Sequence, residues 1–128
     1  MTESVLNDIP GGQALIEWFG RVPRFHDAEL QEIRLASNGP STLRIRTWRM
    51  TDQVDDRGYF VLDKHAMVTI TLERVCSVAL DHFDLPGIIG ALEITGVGNS
   101  FQLSWDGAYG VEGRLRAGQV RIEFTPGA

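Results

Sequence analysis

Apolar and polar residues alternate along most of the chain. Ala66, Val68, Ile70 and Leu72 fall on one face, and Met67, Thr69, Thr71 and Glu73 on the other. That period of two is the signature of a half-buried strand. Leu43, Ile45 and Thr47 are set against Arg44, Arg46 and Trp48 in the same way, and Phe101, Leu103 and Trp105 alternate further on. Ile33 and Leu35 alternate too, but Leu30 is out of phase with them. This predicts a bulge near Gln31. One segment breaks the pattern. Leu15, Trp18 and Phe19 stand at i, i+3, i+4, which predicts a helix over Gly12 to Phe19, stopped by Gly20 with Pro23 shortly after. A helix this short is marginal in water, so its apolar stripe must dock on a sheet.

Turn signals punctuate the strands. Asn38-Gly39-Pro40 and Asp84-Leu85-Pro86-Gly87 are breakers, and Thr51 to Gly58 reads as a polar loop. Val78 to Phe83 is ambiguous; Ile88-Ile89 reads as a buried anchor, and Leu92 with Ile94 as a short strand ending at Gly96. Asp106-Gly107 reads as a hairpin. A second hairpin is expected at Ala117-Gly118. It would pair Leu115 with Val120, Gly113 with Ile122 and Val111 with Phe124, setting Arg114 opposite Arg121 and Glu112 opposite Glu123. Closely spaced strands with Gly-rich turns predict a mainly β protein: an antiparallel β-sandwich or open barrel with one N-terminal helix packed on it. Nothing splits residues 1–128 into more than a single β-rich domain.

Charge and composition narrow the function classes. Twelve basic against seventeen acidic residues leave a net charge of -5 over 128 residues. That disfavours nucleic acid as a partner, which calls for a basic footprint. No run approaches the ~18–20 apolar residues of a membrane-spanning helix. Met1 to Asp8 is polar and acidic and lacks the pattern of a signal peptide, so a cytoplasmic protein is expected. The single cysteine, Cys76, excludes an internal disulfide and reads as a small half-buried residue.

Candidate chemistry is sparse. His26-Asp27, Asp63-x-His65 and Asp81-His82 each put a histidine near a carboxylate, but the spacing matches no metal signature. No nucleophile–base pair or phosphate-binding loop is present, so no catalytic residue, metal or cofactor is expected and the chain reads as a non-enzyme. Phe25-His26-Asp27-Ala28-Glu29 is the most distinctive string. It reads either as a helix-to-strand corner stapled to the sheet or as a small polar site formed by His26, Asp27 and Glu29. Arg46, Trp48, Arg114 and Arg121 form an outward set, with Arg116 extending its basic end. Such a set is either a solvated mixed-charge face or a partner-binding surface, since arginine and tryptophan are enriched at hot spots.

The order of these features resembles a bacterial family. Trp18-Phe19-Gly20 leads through Pro23 to Phe25-His26-Asp27-Ala28-Glu29. Val68-x-Ile70-x-Leu72, Val78-x-Leu80-x-x-Phe83, Ile88-Ile89 and Leu92-x-Ile94 follow. From about Leu15 to Phe124 the chain is similar to the immunity protein 50 family, whose members are predicted to neutralise toxins of bacterial polymorphic toxin systems. Where related sequences carry a polar Asn-rich step, Leu85-Pro86-Gly87 stands here. The resemblance implies a non-enzymatic protein-binding domain whose partner is a cognate toxin, occluded at its surface. The alternatives are an accessory binding domain or homodimer using the helix–sheet cleft, and a His- or metal-dependent enzyme around His26, His65 and His82. Monomer and homodimer both remain open.

Overall fold

A computed structural model describes residues 5–127. A short 3-10 turn, Val5–Asp8, precedes the helix α1, Gly12–Phe19. Six strands follow: β1 (Glu29–Arg34), β2 (Ser41–Val54), β3 (Phe60–Asp81), β4 (Gly87–Val97), β5 (Ser100–Tyr109) and β6 (Glu112–Pro126). They close into a ring in the order β1-β2-β3-β6-β5-β4, with every neighbouring pair antiparallel. The protein is thus mainly β with one short helix, as its periodicities predict.

The ring is uneven. β1 and β4 meet through two residue pairs, Glu29↔Ile88 and Leu30↔Gly87. β2 runs beside β3 from Val54↔Phe60 to Ser41↔Leu72, and β6 continues beside β3 from Ala66↔Pro126 to Asp81↔Glu112. Residues 75–81 of β3 therefore lie beyond the reach of β2. They join residues 112–117 of β6, β5 and β4 in an upper sheet. A lower sheet holds β1, β2 and the remaining parts of β3 and β6.

β3 and β6 cross from one sheet to the other at a shared corner. Arg74 takes a left-handed conformation, φ 57°, and its guanidinium fills the space where a side chain at Gly118 would stand. On β6, Leu115 and Ala117 point inward below the corner numbering, and Val120 and Ile122 above it. The inward parity has slipped by one residue. β-Bulges permit that slip, and orthogonally packed sheets use such corners for strands they share.

This corner corrects the sequence reading of the C-terminal segment. Ala117-Gly118 is not a turn; Glu112–Pro126 is one strand. Arg114 stands opposite Ala79 and Ser104, and Arg121 opposite Thr71; Glu112 faces Asp81, and Glu123 faces Thr69. A parity break looks the same in sequence whether a hairpin or a corner causes it. Asp106-Gly107 is not a turn either. β5 runs on to Tyr109, and Gly110, at φ 80°, carries the chain into β6. The Asp106 carboxylate instead accepts a hydrogen bond from the Ala91 N–H at 2.9 Å. The expected loop at Thr51–Gly58 is strand over its first half, to Val54, and turn over its second. The chain reverses at Asp55, whose Oδ1 accepts from the N–H groups of Arg57 and Tyr59.

The core lies inside the ring. Leu30, Leu43, Ile45, Val68, Ile70 and Leu72 are fully buried with Leu15 of α1. The predicted bulge at Gln31 is present, between Leu30↔Ile45 and Glu32↔Arg44. Trp18 is half-buried, with its ring centroid 5.9 Å from that of Phe124 and the Lys64 ammonium 4.4 Å above it. The segment before α1 covers the lower edge of β6, where the Ile122 N–H donates to the Pro10 carbonyl at 2.8 Å.

Two glycines frame α1 with different constraints. Gly11 and Gly20 are both left-handed, at φ 84° and 77°. A Cβ at Gly20 would meet only the end of Arg49 at 3.6 Å, whereas one at Gly11 would overlap the Ile122 carbonyl. Gly20→Ala is expected to cost about 1–2 kcal/mol from backbone strain alone. Gly11→Ala must also push the N-terminal segment off β6, and is expected to cost roughly 2–4 kcal/mol. Urea unfolding of the two variants checks this; equal losses would show that the Gly11 approach constrains nothing.

Candidate functional site

Two concave surfaces stand at opposite ends of β3. The lower one lies where the β2–β3 ribbon passes the end of α1. The ribbon projects past the sheet, pairing Arg49 with Asp63 and Val54 with Phe60. Arg49 anchors it. Its Nε and Nη2 donate to the Asp63 carboxylate at 2.9 and 2.8 Å, and Nη1 donates to the Phe19 carbonyl at 3.2 Å. A guanidinium suits this place, because it binds a carboxylate bidentately and also meets the negative end of the helix dipole. The hydrogen bond and charge of Arg49 hold the Asp63 carboxyl below the ordinary carboxylate range, with partial burial opposing them.

Phe19, Val22, His26, Trp48, Arg49 and Phe60 line a recess of about 860 Å³ beside the ribbon. Beyond it the ribbon exposes three large apolar side chains among its charged ones: Tyr59 is 68% exposed, Phe60 54% and Val54 57%, with Asp52, Asp55, Asp56 and Arg57 beside them. Trp48 sits at the rim, 6.2 Å from the His65 ring. In sequence the polar loop ends at Gly58, and Tyr59 to Leu62 reads either as an earlier strand or as the start of the next one. The structure makes Phe60 the start of β3, but alternation alone gave no sign that the two aromatics stand exposed. The available signal was Tyr59-Phe60, two adjacent aromatics beside a turn.

The upper surface is a groove of about 840 Å³ on the outside of the upper sheet. Ala79, Arg114, Ser104 and Glu93 form one row across its four strands. Small residues keep the floor low, and Asp81, Glu93, Asp106 and Glu112 line it with carboxylates. Arg24 donates to Glu93 at 3.2 Å. Asp81 and Glu112 are directly opposed like charges; His82 Nδ1 lies 3.7 Å from the first and 3.4 Å from the second. Arg114 has no ion-pair partner among the described residues.

The outward arginine set does not form one patch. Arg46 and Trp48 are on the outer side of β2. Arg121 shares the lower sheet with them, two strands away, and is engaged by Glu73 at 3.3 Å and Glu123 at 3.9 Å. Arg114 lies beyond the corner in the groove, about 20 Å further along β6 at ~3.3 Å per residue. The expected adjacency of Arg114 and Arg121 rested on the hairpin that the continuous strand replaces. Arg116 donates to Gln102 at 3.1 Å.

The string at 25–29 is a corner stapled to the sheet. Phe25 and Asp27 take left-handed backbone, and the buried Phe25 joins the core cluster. The Asp27 N–H donates to the Ile89 carbonyl at 2.8 Å, and His26 Nδ1 donates to the Gly90 carbonyl at 2.8 Å. Asp27 Oδ2 lies 3.4 Å from the other ring nitrogen. Glu29 accepts from Gln31 at 3.4 Å. The histidines occupy three different settings: His26 on Gly90, His65 beside Trp48, and His82 beside Glu112. Among the described residues, no three His, Cys, Asp or Glu side chains are placed to hold a metal ion. Cys76 is exposed, a correction to its expected half-burial; it stands at a bulge with Sγ 3.6 Å from the Arg116 carbonyl. No described helix is long and apolar enough to cross a membrane. Comparison with family models, curated proteins and solved structures finds no match to the chain.

The Arg49–Asp63 pair makes a pH-dependent contribution. Asp63 is depressed in the folded state, so its stabilisation is present above the unfolded carboxyl value and is lost as pH falls through the folded one. The stability gap between the wild type and Asp63→Asn is expected to narrow as pH falls from about 5 toward 2. Urea midpoints across that range measure it; parallel curves would mean the pair does not stabilise the fold.

Proposed function

We propose that the protein is a non-enzymatic recognition domain that binds a protein partner through the β2–β3 ribbon and the recess beside it. The observation that supports this reading is the exposed aromatic tip, Tyr59 and Phe60, held on a ribbon fixed by the Arg49–Asp63–Phe19 contacts. Exposed apolar clusters rimmed by polar groups mark interaction sites. Aromatic residues with arginine nearby are the chemistry of interface hot spots. Trp48, one of the sequence-based candidates, belongs to this surface, and Arg46 flanks it on the same strand.

The partner class comes from the resemblance to the immunity protein 50 family. On that reading the ribbon inserts into a toxin and occludes its working surface. A net charge of -5 favours encounter with a basic target. The setting is the cytoplasm, where an exposed Cys76 stays reduced.

The double change Tyr59→Ser, Phe60→Ser tests the proposal, because both side chains are exposed and neither belongs to the core cluster. Wild-type protein is expected to retain one partner from host lysate. The variant should bind that partner at least ~30-fold more weakly, the equivalent of about 2 kcal/mol for one hot spot. Unchanged circular dichroism and quantitative mass spectrometry of the retained fraction complete the comparison. Equal retention would exclude the ribbon as the binding surface.

A further inference from the structure

Strand edges carry unpaired N–H and C=O groups, and proteins cover or charge them. Most edges here are treated in that way. The N-terminal segment covers the lower edge of β6 at Ile122. Residues 24–28 cover the edge of β4, where the Leu92 N–H donates to the Arg24 carbonyl and the Ile89 N–H to the Ala28 carbonyl. The free end of β1 carries Glu32 and Arg34, and the ribbon carries Arg49, Asp52, Asp63 and Lys64.

The upper part of β3 is different. Among the described residues, residues 75–81 pair with β6 alone. Val75 to Leu80 contains no charged residue, and Ser77, Val78 and Ala79 are exposed. The bulge at Cys76 interrupts the edge, leaving Ser77 to Asp81 as its regular stretch. This edge is also one wall of the groove, where Asp81, Glu93, Asp106 and Glu112 outnumber Arg24 and Arg114, and the acidic end is the one at Asp81 and Glu112.

We propose that the β3 edge from Ser77 to Asp81 accepts an extended, lysine- or arginine-rich segment of a protein partner as an added strand. Main-chain hydrogen bonds supply the attachment, and alternate side chains supply the selectivity. Outward side chains of the added strand stand beside Ala79 and Asp81, about 4.5–5.5 Å away at Cβ. A long cationic side chain beside Asp81 reaches the Asp81 and Glu112 carboxylates, directly opposed like charges with the His82 ring beside both. A second copy of this chain fits less well, because its own Asp81 and Glu112 would be brought against the same acidic wall. This surface is separate from the ribbon, so either can fail without the other.

The test uses the full chain and an acetylated, amidated heptapeptide of sequence Lys-Val-Lys-Thr-Lys-Val-Lys, with a glutamate-for-lysine counterpart. The lysine peptide is expected to bind and to protect the amides of residues 77–81 from hydrogen exchange. Binding should weaken at least tenfold in the double variant Asp81→Lys, Glu112→Lys, and should weaken with added salt. The glutamate peptide should not bind. A lysine peptide N-methylated at its valines should lose affinity, because its main chain can no longer pair. Four results would overturn the proposal: no binding at millimolar peptide, equal binding by the charge-reversed variant or the N-methylated peptide, protection mapped elsewhere, or concentration-dependent protection of residues 77–81 without peptide. The last would assign the edge to a second copy.

Discussion

The corner at Arg74 and Gly118 is the constraint on which the architecture rests. A strand that crosses between two sheets must keep its apolar residues inward in both. Without the one-residue slip, Arg116 would turn into the core and Leu115 and Ala117 out of it, since a slip reverses every side chain beyond it. The left-handed Arg74 supplies the slip on β3, and Gly118 leaves room for its guanidinium on β6. The upper sheet, its groove and the isolation of residues 75–81 all follow. β2 has no corner of its own, so it ends where β3 turns away.

What the sequence made legible was local. The limits of α1, the left-handed Gly20, the bulge at Gln31 and the inward sets on β2 and β3 are written in short-range periodicity and turn chemistry, and each is present. Pairing between distant strands was not legible. Val111 to Phe124 obeys the parity of a hairpin as well as that of a bent strand, and only the partners on β3 and β5 distinguish them. The same ambiguity governs the candidate site. The outward direction of Arg46, Trp48, Arg114 and Arg121 follows from alternation, whereas their grouping depended on the lost hairpin. The ribbon tip was hidden for another reason. Its many acids and Gly58 suggested a loop, while the Asp55 carboxylate binds two backbone N–H groups and makes a tight reversal.

The two candidate surfaces differ in kind. At one end of β3 two exposed aromatics stand beside a charged turn on a pinned ribbon. At the other, a low floor of small residues lies between carboxylates. One favours shape and desolvation, the other charge and main-chain pairing. Their separation along one strand leaves each free to vary without disturbing the other, because the core side chains between them belong to neither.

The Pro10–Ile122 hydrogen bond and the Trp18–Phe124 contact bind the beginning of the described chain to its last strand. On the ribosome, that makes α1 wait. At synthesis rates of ~5–20 residues per second, roughly 5–20 s separate the emergence of its docking residues from that of β6. During that interval Leu15 and Phe19 have no sheet to cover, and the helix is too short to persist alone. Until β6 emerges, the apolar stripe of α1 lacks the strand that holds Pro10 and Trp18, and the ring cannot close.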